Sequence, residues 1–426
     1  MGRIKAHEGP SGTAAPTARR ILIYGMNYAP EMIGVGRYTG EIGAYLQADG
    51  DQIEVVTTPP HYPGWAVRDS FRNRYSVARS PRMSVFRCPL LLRKRMRGVW
   101  RVLAPLSFAV TSAPVVVWRI LTTRPEVVLV VEPTLFAAPV ALVAAKLVRA
   151  RTVLHVQDLE IDAAFAVGHL KSGLLQRAAQ AFERFILRHF DHVITISNQM
   201  GKRLLGKGVR ADQLSMVRNW ADLEQIRRLD GPNAFRTELA LPDSTFVALY
   251  AGNIGAKQAL HVVTDAAARL VDETGIVFVI AGDGPEREKL VAHQLPNVRF
   301  LPLQPESLLC ELLNLADVHV LPQDKGAADL VMPSKLAGML ASGRPVLAMT
   351  NPDTEIHDFL AGEAILIPAG DSLQLAESIR QLARSDPSSR PPASPHLAAA
   401  FDRRRSLPAL AALLAKRRST ETFDAS

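Results

Sequence analysis

Short apolar runs that are unbroken rather than alternating recur along this 426-residue chain. Each is followed by a glycine or polar turn and then by a helical pattern. Ile21–Tyr24, Ile53–Thr57, Val127–Val131, Val153–Val156 and Val193–Ile196 form one series. Phe246–Tyr250, Ile276–Ile280, Val298–Leu301, Val318–Leu321 and Val346–Ala348 form a second. A strand that is apolar on both faces must be covered on both faces. Strand and helix in alternation therefore predict parallel sheets with helices on either side, an α/β fold with two doubly wound, Rossmann-like domains. The length suits two cores rather than one.

The expected boundaries are a disordered lead-in over 1–19, a first domain over 20–220, a second over 221–385 and a tail with a last helix over 386–426. The first boundary rests on Gly, Pro, Ala and Arg without an apolar core, which also argues against a cleavable signal. The second rests on the turn chemistry of Asn219-Trp220-Ala221-Asp222 and Gly231-Pro232-Asn233.

Charge is unevenly placed. The net formal charge is +9, yet residues 1–190 carry 25 Lys and Arg against 13 Asp and Glu. Such asymmetry suggests an anionic phospholipid surface, a phosphorylated acceptor or nucleic acid as partner, and nucleic acid ranks last because no finger, helix-turn-helix or RNA-binding signature is present. Arg93-Lys94-Arg95-Met96-Arg97 leads into the apolar run Leu103–Trp118, which contains Pro105 and Pro114. At that length the run falls short of a bilayer span, and Leu90–Trp118 is expected to lie on an anionic membrane surface. Cys88 and Cys310 are far apart and lack metal spacing, so neither a disulfide framework nor a zinc site is expected, and a reducing cytoplasm is the default compartment.

Several turns can carry chemistry. Gly34 and Gly36 precede a helix after the first strand, where a ligand could approach backbone closely. His61, Tyr62 and Trp65 lie in the rigid PPHYPGW loop after the second strand. In the stretch Asp329–Met349, Ser334 and Lys335 open a helix whose amides and dipole suit an anion. Asp158 ends a strand, where it either holds a substrate hydroxyl or stabilises its own loop.

Taken together, AGNIGAKQAL, AGDGPEREKL, VRFLPLQPESLLCELLNLADVHVLP and PSKLAGMLASGRPVLA resemble, in order and spacing, the second domain of family-4 glycosyltransferases. The first domain agrees through its glycine loop, QDLEID, ITISNQM and VRNWADL. Judged by NYAPE, PPHYPGW, GNIGAKQ and PSKLAGMLASGRP, the chain is most similar to exopolysaccharide and capsule transferases of the colanic-acid fucosyltransferase type. That resemblance implies a GT-B architecture, two facing Rossmann-like domains with a cleft between them. It implies a sugar nucleotide held mainly by the second domain, with GDP-fucose one candidate, and a lipid-linked saccharide acceptor held mainly by the first. It further implies retention of configuration, no metal and no cofactor beyond the donor itself.

Carried over to this chain, the resemblance makes Asp158 and Lys257 catalytic. It places the donor among Gly34, Gly36, Asn253, Gly255, Lys257, Gly282, Gly284, Ser334 and Lys335. Two departures stand out: the family's Glu-x7-Glu pair falls on Leu330 and Gly338, and its first-domain histidine falls on Gln157. Glu355 is the candidate to take over ribose binding from the missing glutamate. A sugar-nucleotide 2-epimerase of the same architecture, or a catalytically silent partner in a polysaccharide assembly, is the alternative reading.

Overall fold

The computed structural model describes residues 18–31, 34–62, 64–93, 100–133, 135–159, 173–255, 258–323 and 332–416. These fall into two compact units, one within 18–155 and 173–191 and the other comprising 156–159 and 192–416.

The first unit runs β1 (Arg20–Tyr24), α1 (Gly34–Ala48), β2 (Gln52–Thr57), β3 (Ser76–Ser80), β4 (Met83–Arg87), α2 (Trp100–Thr123), β5 (Val127–Glu132), α3 (Ala138–Leu147), β6 (Arg151–Val156) and α4 (Gly173–Leu187). Its strands are ordered β3-β4-β2-β1-β5-β6. β1 pairs in parallel with β2 (Ile21 opposite Ile53) and with β5 (Ile21 opposite Val127), so the winding reverses at β1. β5 is buried along its whole length, as its unbroken valine-rich run demands. The antiparallel hairpin β3–β4 turns at Pro81-Arg82, and β3, an edge strand, is exposed throughout.

α2 corrects the sequence reading. It spans 24 residues with both prolines inside, and Val102–Thr123 is long and apolar enough to cross a bilayer by length and composition. Pro114 removes the donor to the Val110 carbonyl, and Val110 sits on the solvent side, 75 % exposed, where water can replace that bond. On the opposite side Ala104, Phe108, Ser112, Val116 and Ile120, four residues apart, are all buried. Ser112 Oγ lies 2.6 Å from Tyr24 Oη of β1, and Arg119 pairs with Glu54 of β2. This helix is therefore a covering layer of the first sheet.

The second unit continues with β7 (His192–Thr195), α5 (Asn198–Gly206), β8 (Leu214–Met216), α6 (Ala234–Glu238), β9 (Phe246–Ala251), α7 (Leu260–Arg269), β10 (Ile276–Ala281), α8 (Arg287–Val291) and β11 (Val298–Leu301). It ends with α9 (Leu309–Asn314), β12 (Val318–Leu321), α10 (Ser334–Ala341), β13 (Val346–Met349), α11 (Glu355–Leu360), β14 (Ile365–Ile367), α12 (Ser372–Arg384), α13 (Pro395–Ala399) and α14 (Arg403–Ala415). Ser197 caps α5, its side chain accepting from Met200 N.

Six strands form a wholly parallel sheet ordered β11-β10-β9-β12-β13-β14. Alternate residues of β9 serve opposite faces. Phe246, Ala248 and Tyr250 pack with Leu260, Val263, Leu375 and Ile379, whereas Val247, Leu249 and Ala251 pack with Phe235, Leu312 and Leu313. The winding reverses between β9 and β12, and the carboxyl ends of these neighbours open the crevice where α/β sheets hold ligands. The expected tail beyond 385 carries two helices. Ala221 N donates to Phe401 O, Arg403 pairs with Asp222, and Leu407, Leu410 and Leu414 of α14 are buried.

Candidate donor site at the carboxyl edge of the second sheet

β9 runs out at Ala251 into the turn Gly252–Gly255, and β10 runs out at Ala281 into Gly282–Pro285. The turns are bonded to one another: Gly252 N donates to Ala281 O, Ile254 N to Asp283 O and Glu286 N to Ile254 O. A Cβ on Gly282 would lie 1.9 Å from Gly252 O, and one on Gly284 2.3 Å from Ile254 O, both at positive φ. These two glycines let the turns interlock; the space beside them is filled by the chain's own backbone. Gly255 is similarly enclosed by the Asn253 and Gln258 side chains, and Asn253 is exposed.

Across this edge comes α10. Pro333, at φ −60°, sets its first turn and has no side chain that could cap it; Leu336 N donates to Pro333 O, and the Ser334 and Lys335 amides have no acceptor among the described residues. Ser334 is exposed at the first helical position. Lys335 reaches back over the sheet to β9: its Nζ donates to Tyr250 Oη at 3.0 Å and lies 4.1 Å from the ring centroid. Tyr250 Oη in turn donates to Asn253 O at 2.5 Å. The lysine stem passes over Gly252, whose Cβ would meet Lys335 Cδ at 3.5 Å. Among the described residues no carboxylate pairs with this ammonium, and burial pushes its pKa down to about 7. A desolvated cation beside an uncapped helix N-terminus is a seat for an anion.

The remaining site residues are dispersed. Lys257 lies outside the described residues, as does Leu330. Asp158 is exposed in the turn that follows β6. Gly34 and Gly36 lie in the first unit, and the space over them is taken. A Cβ on Gly36 would come 2.3 Å from Glu31 Oε2, and one on Gly34 3.3 Å from the Tyr62 ring. They cradle side chains of this chain, Glu31 and Tyr62.

Glu355 is 2 % exposed; its Oε1 accepts from Arg218 Nη1 at 2.7 Å and its Oε2 from the Gln199 amide at 2.9 Å. Arg218 also lies 4.7 Å from the Phe359 ring. A carboxylate so held fastens α11 to the first turn of α5 and to the segment after β8. At Gly338, where the family's glutamate falls, a Cβ would stand 3.0 Å from Leu313 Cδ1 and 3.6 Å from Ile226 Cδ1, in apolar packing. Gln157 Oε1 accepts from Asn219 Nδ2 at 3.0 Å, while Gln157 Nε2 and Asn219 Oδ1 have no partner among the described residues.

Sequence reasoning missed Tyr250, Arg218 and Asn219. Tyr250 was hidden as one more apolar residue of a strand, and only its place at the strand's last turn could have marked it. The sequence also contains one Asp-x-Asp triplet, Asp49-Gly50-Asp51, at the amino end of β2; Asp51 is buried and accepts from Arg19 N and Nε at 3.0 Å, the work of a turn.

Comparison with known proteins places this geometry. Residues 34–220 match the glycosyl transferase 4-like domain and residues 245–385 match glycosyl transferases group 1. WcaI of Escherichia coli K12, named as a glycosyl transferase of colanic acid biosynthesis, is 38 % identical over 375 residues, covering 85 % of this chain and 91 % of its own. Among solved structures, sucrose-phosphate synthase of Thermosynechococcus elongatus superposes with a TM-score of 0.68 at 16 % identity, covering 93 % of this chain and 98 % of that one. HepE of Anabaena, solved with UDP and glucose, gives 0.62 at 17 %, covering 93 % and 99 %.

Proposed function

The chain belongs to the family-4 glycosyltransferases of GT-B architecture, and from that premise we propose that it transfers a sugar from a nucleotide diphosphate sugar to a lipid-linked saccharide in exopolysaccharide assembly. The likeness to WcaI supports the pathway class. The proposal includes retention of configuration, independence of divalent metal, and GDP-fucose as the donor to try first.

The observation that carries it is the Lys335–Tyr250 arrangement. A departing nucleoside diphosphate accumulates charge on its β-phosphate, and stabilising that charge requires preorganised donors in a desolvated setting. Lys335 supplies a partly desolvated ammonium, and the first turn of α10 supplies amides and the positive end of a helix dipole. Lys257, which follows the Asn253–Gly255 turn in sequence, is proposed as the second phosphate cation. Asp158, on a strand end, is proposed to act on the transferred sugar or the incoming hydroxyl.

A thermal-shift panel of UDP, GDP, ADP and CMP tests the donor seat, since stabilisation follows affinity by mass action. One nucleotide should raise the melting temperature of the wild type. Lys335→Ala and Lys257→Ala should each weaken its binding by about 1–3 kcal/mol, as expected for a charge-assisted contact. Binding left at wild-type strength in both variants overturns the placement, and transfer that stops in EDTA contradicts metal independence.

A further inference from the structure

Two sequence motifs of the first unit are one device. Asn27-Tyr28-Ala29-Pro30-Glu31 follows β1 and Pro59-Pro60-His61-Tyr62 follows β2. Glu31 Oε1 accepts from both the His61 and Tyr62 amides at 3.0 Å, and its Oε2 accepts from Asn27 Nδ2 at 2.9 Å. Arg68 closes the loop, its backbone N donating to Pro60 O at 3.1 Å and its Nη1 to Pro30 O at 2.8 Å. Gly36 leaves the room that Glu31 occupies. A buried carboxylate thus bolts the loop 59–68 to the carboxyl edge of the first sheet.

The bolted loop presents an aromatic surface. Tyr62 is 39 % exposed, and its ring meets Trp65 edge-on at 6.4 Å between centroids. Trp65 also lies over His61 at 5.7 Å, and holds φ at +52°, a left-handed conformation that a bulky side chain adopts only under constraint.

Two polar atoms here are without partners among the described residues: His61 Nε2, in the ring that Trp65 covers, and Arg87 Nη1, on the residue that packs on Phe71 and binds the Asn27–Glu31 segment through Ala29 O. Both residues are more than nine-tenths buried. Their other nitrogens are spoken for. His61 Nδ1 is 3.0 Å from the Pro59 carbonyl, which can only accept, so Nδ1 carries the hydrogen and Nε2 is an acceptor. Arg87 Nη2 donates to Ala29 O at 2.9 Å, which leaves Nη1 as a donor. One acceptor and one donor, both desolvated, on the loop and strand that carry the exposed Tyr62 and the half-buried Trp65 match a ligand that carries hydroxyls on one side and an apolar C–H face on the other.

We propose that this edge of the first unit is a pyranose subsite for the saccharide acceptor. The sugar's C–H face packs on Tyr62 and Trp65. Its hydroxyls donate to His61 Nε2 and accept from Arg87 Nη1 as Trp65 turns aside. The inference rests on the glycosyltransferase reading and deepens it by naming where a sugar ring is recognised.

Saturation-transfer NMR on the full chain, with methyl pyranosides of glucose, galactose, mannose and fucose and no nucleotide, tests it. At least one pyranoside should receive saturation on its ring protons. Tyr62→Ala and Trp65→Ala should each weaken that signal roughly fivefold, with Trp65→Phe restoring most of it. Arg87→Gln should weaken it as well. The nucleotide thermal shift, measured on the same samples, should stay unchanged, which shows that the variants are folded and keeps the donor reading separate. Signal that survives both aromatic replacements, or wild-type protein that saturates none of the four sugars, overturns the subsite. Loss of the nucleotide shift with sugar binding intact would instead count against the donor seat.

Discussion

At the scale of single residues, the donor seat turns on a lysine whose proton is loosely held. Lys335 has a pKa near 7, lowered by burial, where an ordinary lysine stays charged well above pH 10. An anion binds the ammonium and stabilises it, so nucleotide diphosphate binding should pull this pKa upward and take up a proton at mildly alkaline pH. Below pH 7 the lysine is already charged and affinity should be flat on its account. Above pH 7 the dissociation constant should rise, by at most about tenfold per pH unit, until the pKa of the complex is passed. Calorimetric titrations between pH 7 and 9 should show this slope in the wild type and lose it in Lys335→Ala; an equal slope in both would assign the titration elsewhere. The helix start at Ser334 and Lys335 was legible because a proline, a small polar residue and a cation in that order carry one physical message. What holds Glu355 was not legible, because a lone glutamate says nothing about whether its oxygens are already taken, and here Arg218 and Gln199 take them.

Among the elements, the strands of the two apolar series were read to within about a residue or two at either end, because burial on both faces writes itself as an unbroken apolar run, while the short, partly buried β8 and β14 were not read. The hairpin β3–β4 escaped notice for the opposite reason. As an edge pair with one strand fully exposed, it shows no apolar pattern. In α2 the prolines suggested interruptions that the packing overrides, and the helix now presents a face the sequence could not resolve. Leu106, Val110, Trp118 and Leu121 are 37 to 75 % exposed on the side opposite the buried stripe. Arg93 lies 4.9 Å from the Trp100 ring at the helix start. Lys94, Arg95 and Arg97, which the charge argument also used, lie outside the described residues. We predict that this face rests on an anionic bilayer, with aromatic and aliphatic side chains entering the interface and each basic residue adding about 1 kcal/mol at low ionic strength. In liposome flotation, protein should rise with anionic vesicles and less so with neutral ones. Trp118→Ser with Val110→Ser should reduce the bound fraction several-fold. Equal flotation on both vesicle types, or no effect of the paired replacement, would leave α2 as a covering helix and nothing more.

For the molecule as a whole, two parallel sheets were visible in the order of motifs, since each βαβ repeat announces itself locally, and a charge difference between the halves was visible in the composition. The division of labour between the units was less visible, because the glycines after β1 look like those after β9 and β10. In the first unit they make room for Glu31 and Tyr62; in the second they let two turns interlock beneath Lys335. If each unit holds its own ligand, hydrogen exchange should separate them. A nucleoside diphosphate at about 100 times its dissociation constant adds roughly 2.7 kcal/mol of stability. It should slow exchange in the turns Gly252–Gly255 and Gly282–Pro285 and at the start of α10, where the Ser334 and Lys335 amides precede the bond from Leu336 N to Pro333 O. The loop 59–68 should be unaffected by the nucleotide and should slow only when a pyranoside is added. Protection of the 59–68 loop by nucleotide alone would move the donor to the first unit, and with it the role first given to Gly34 and Gly36.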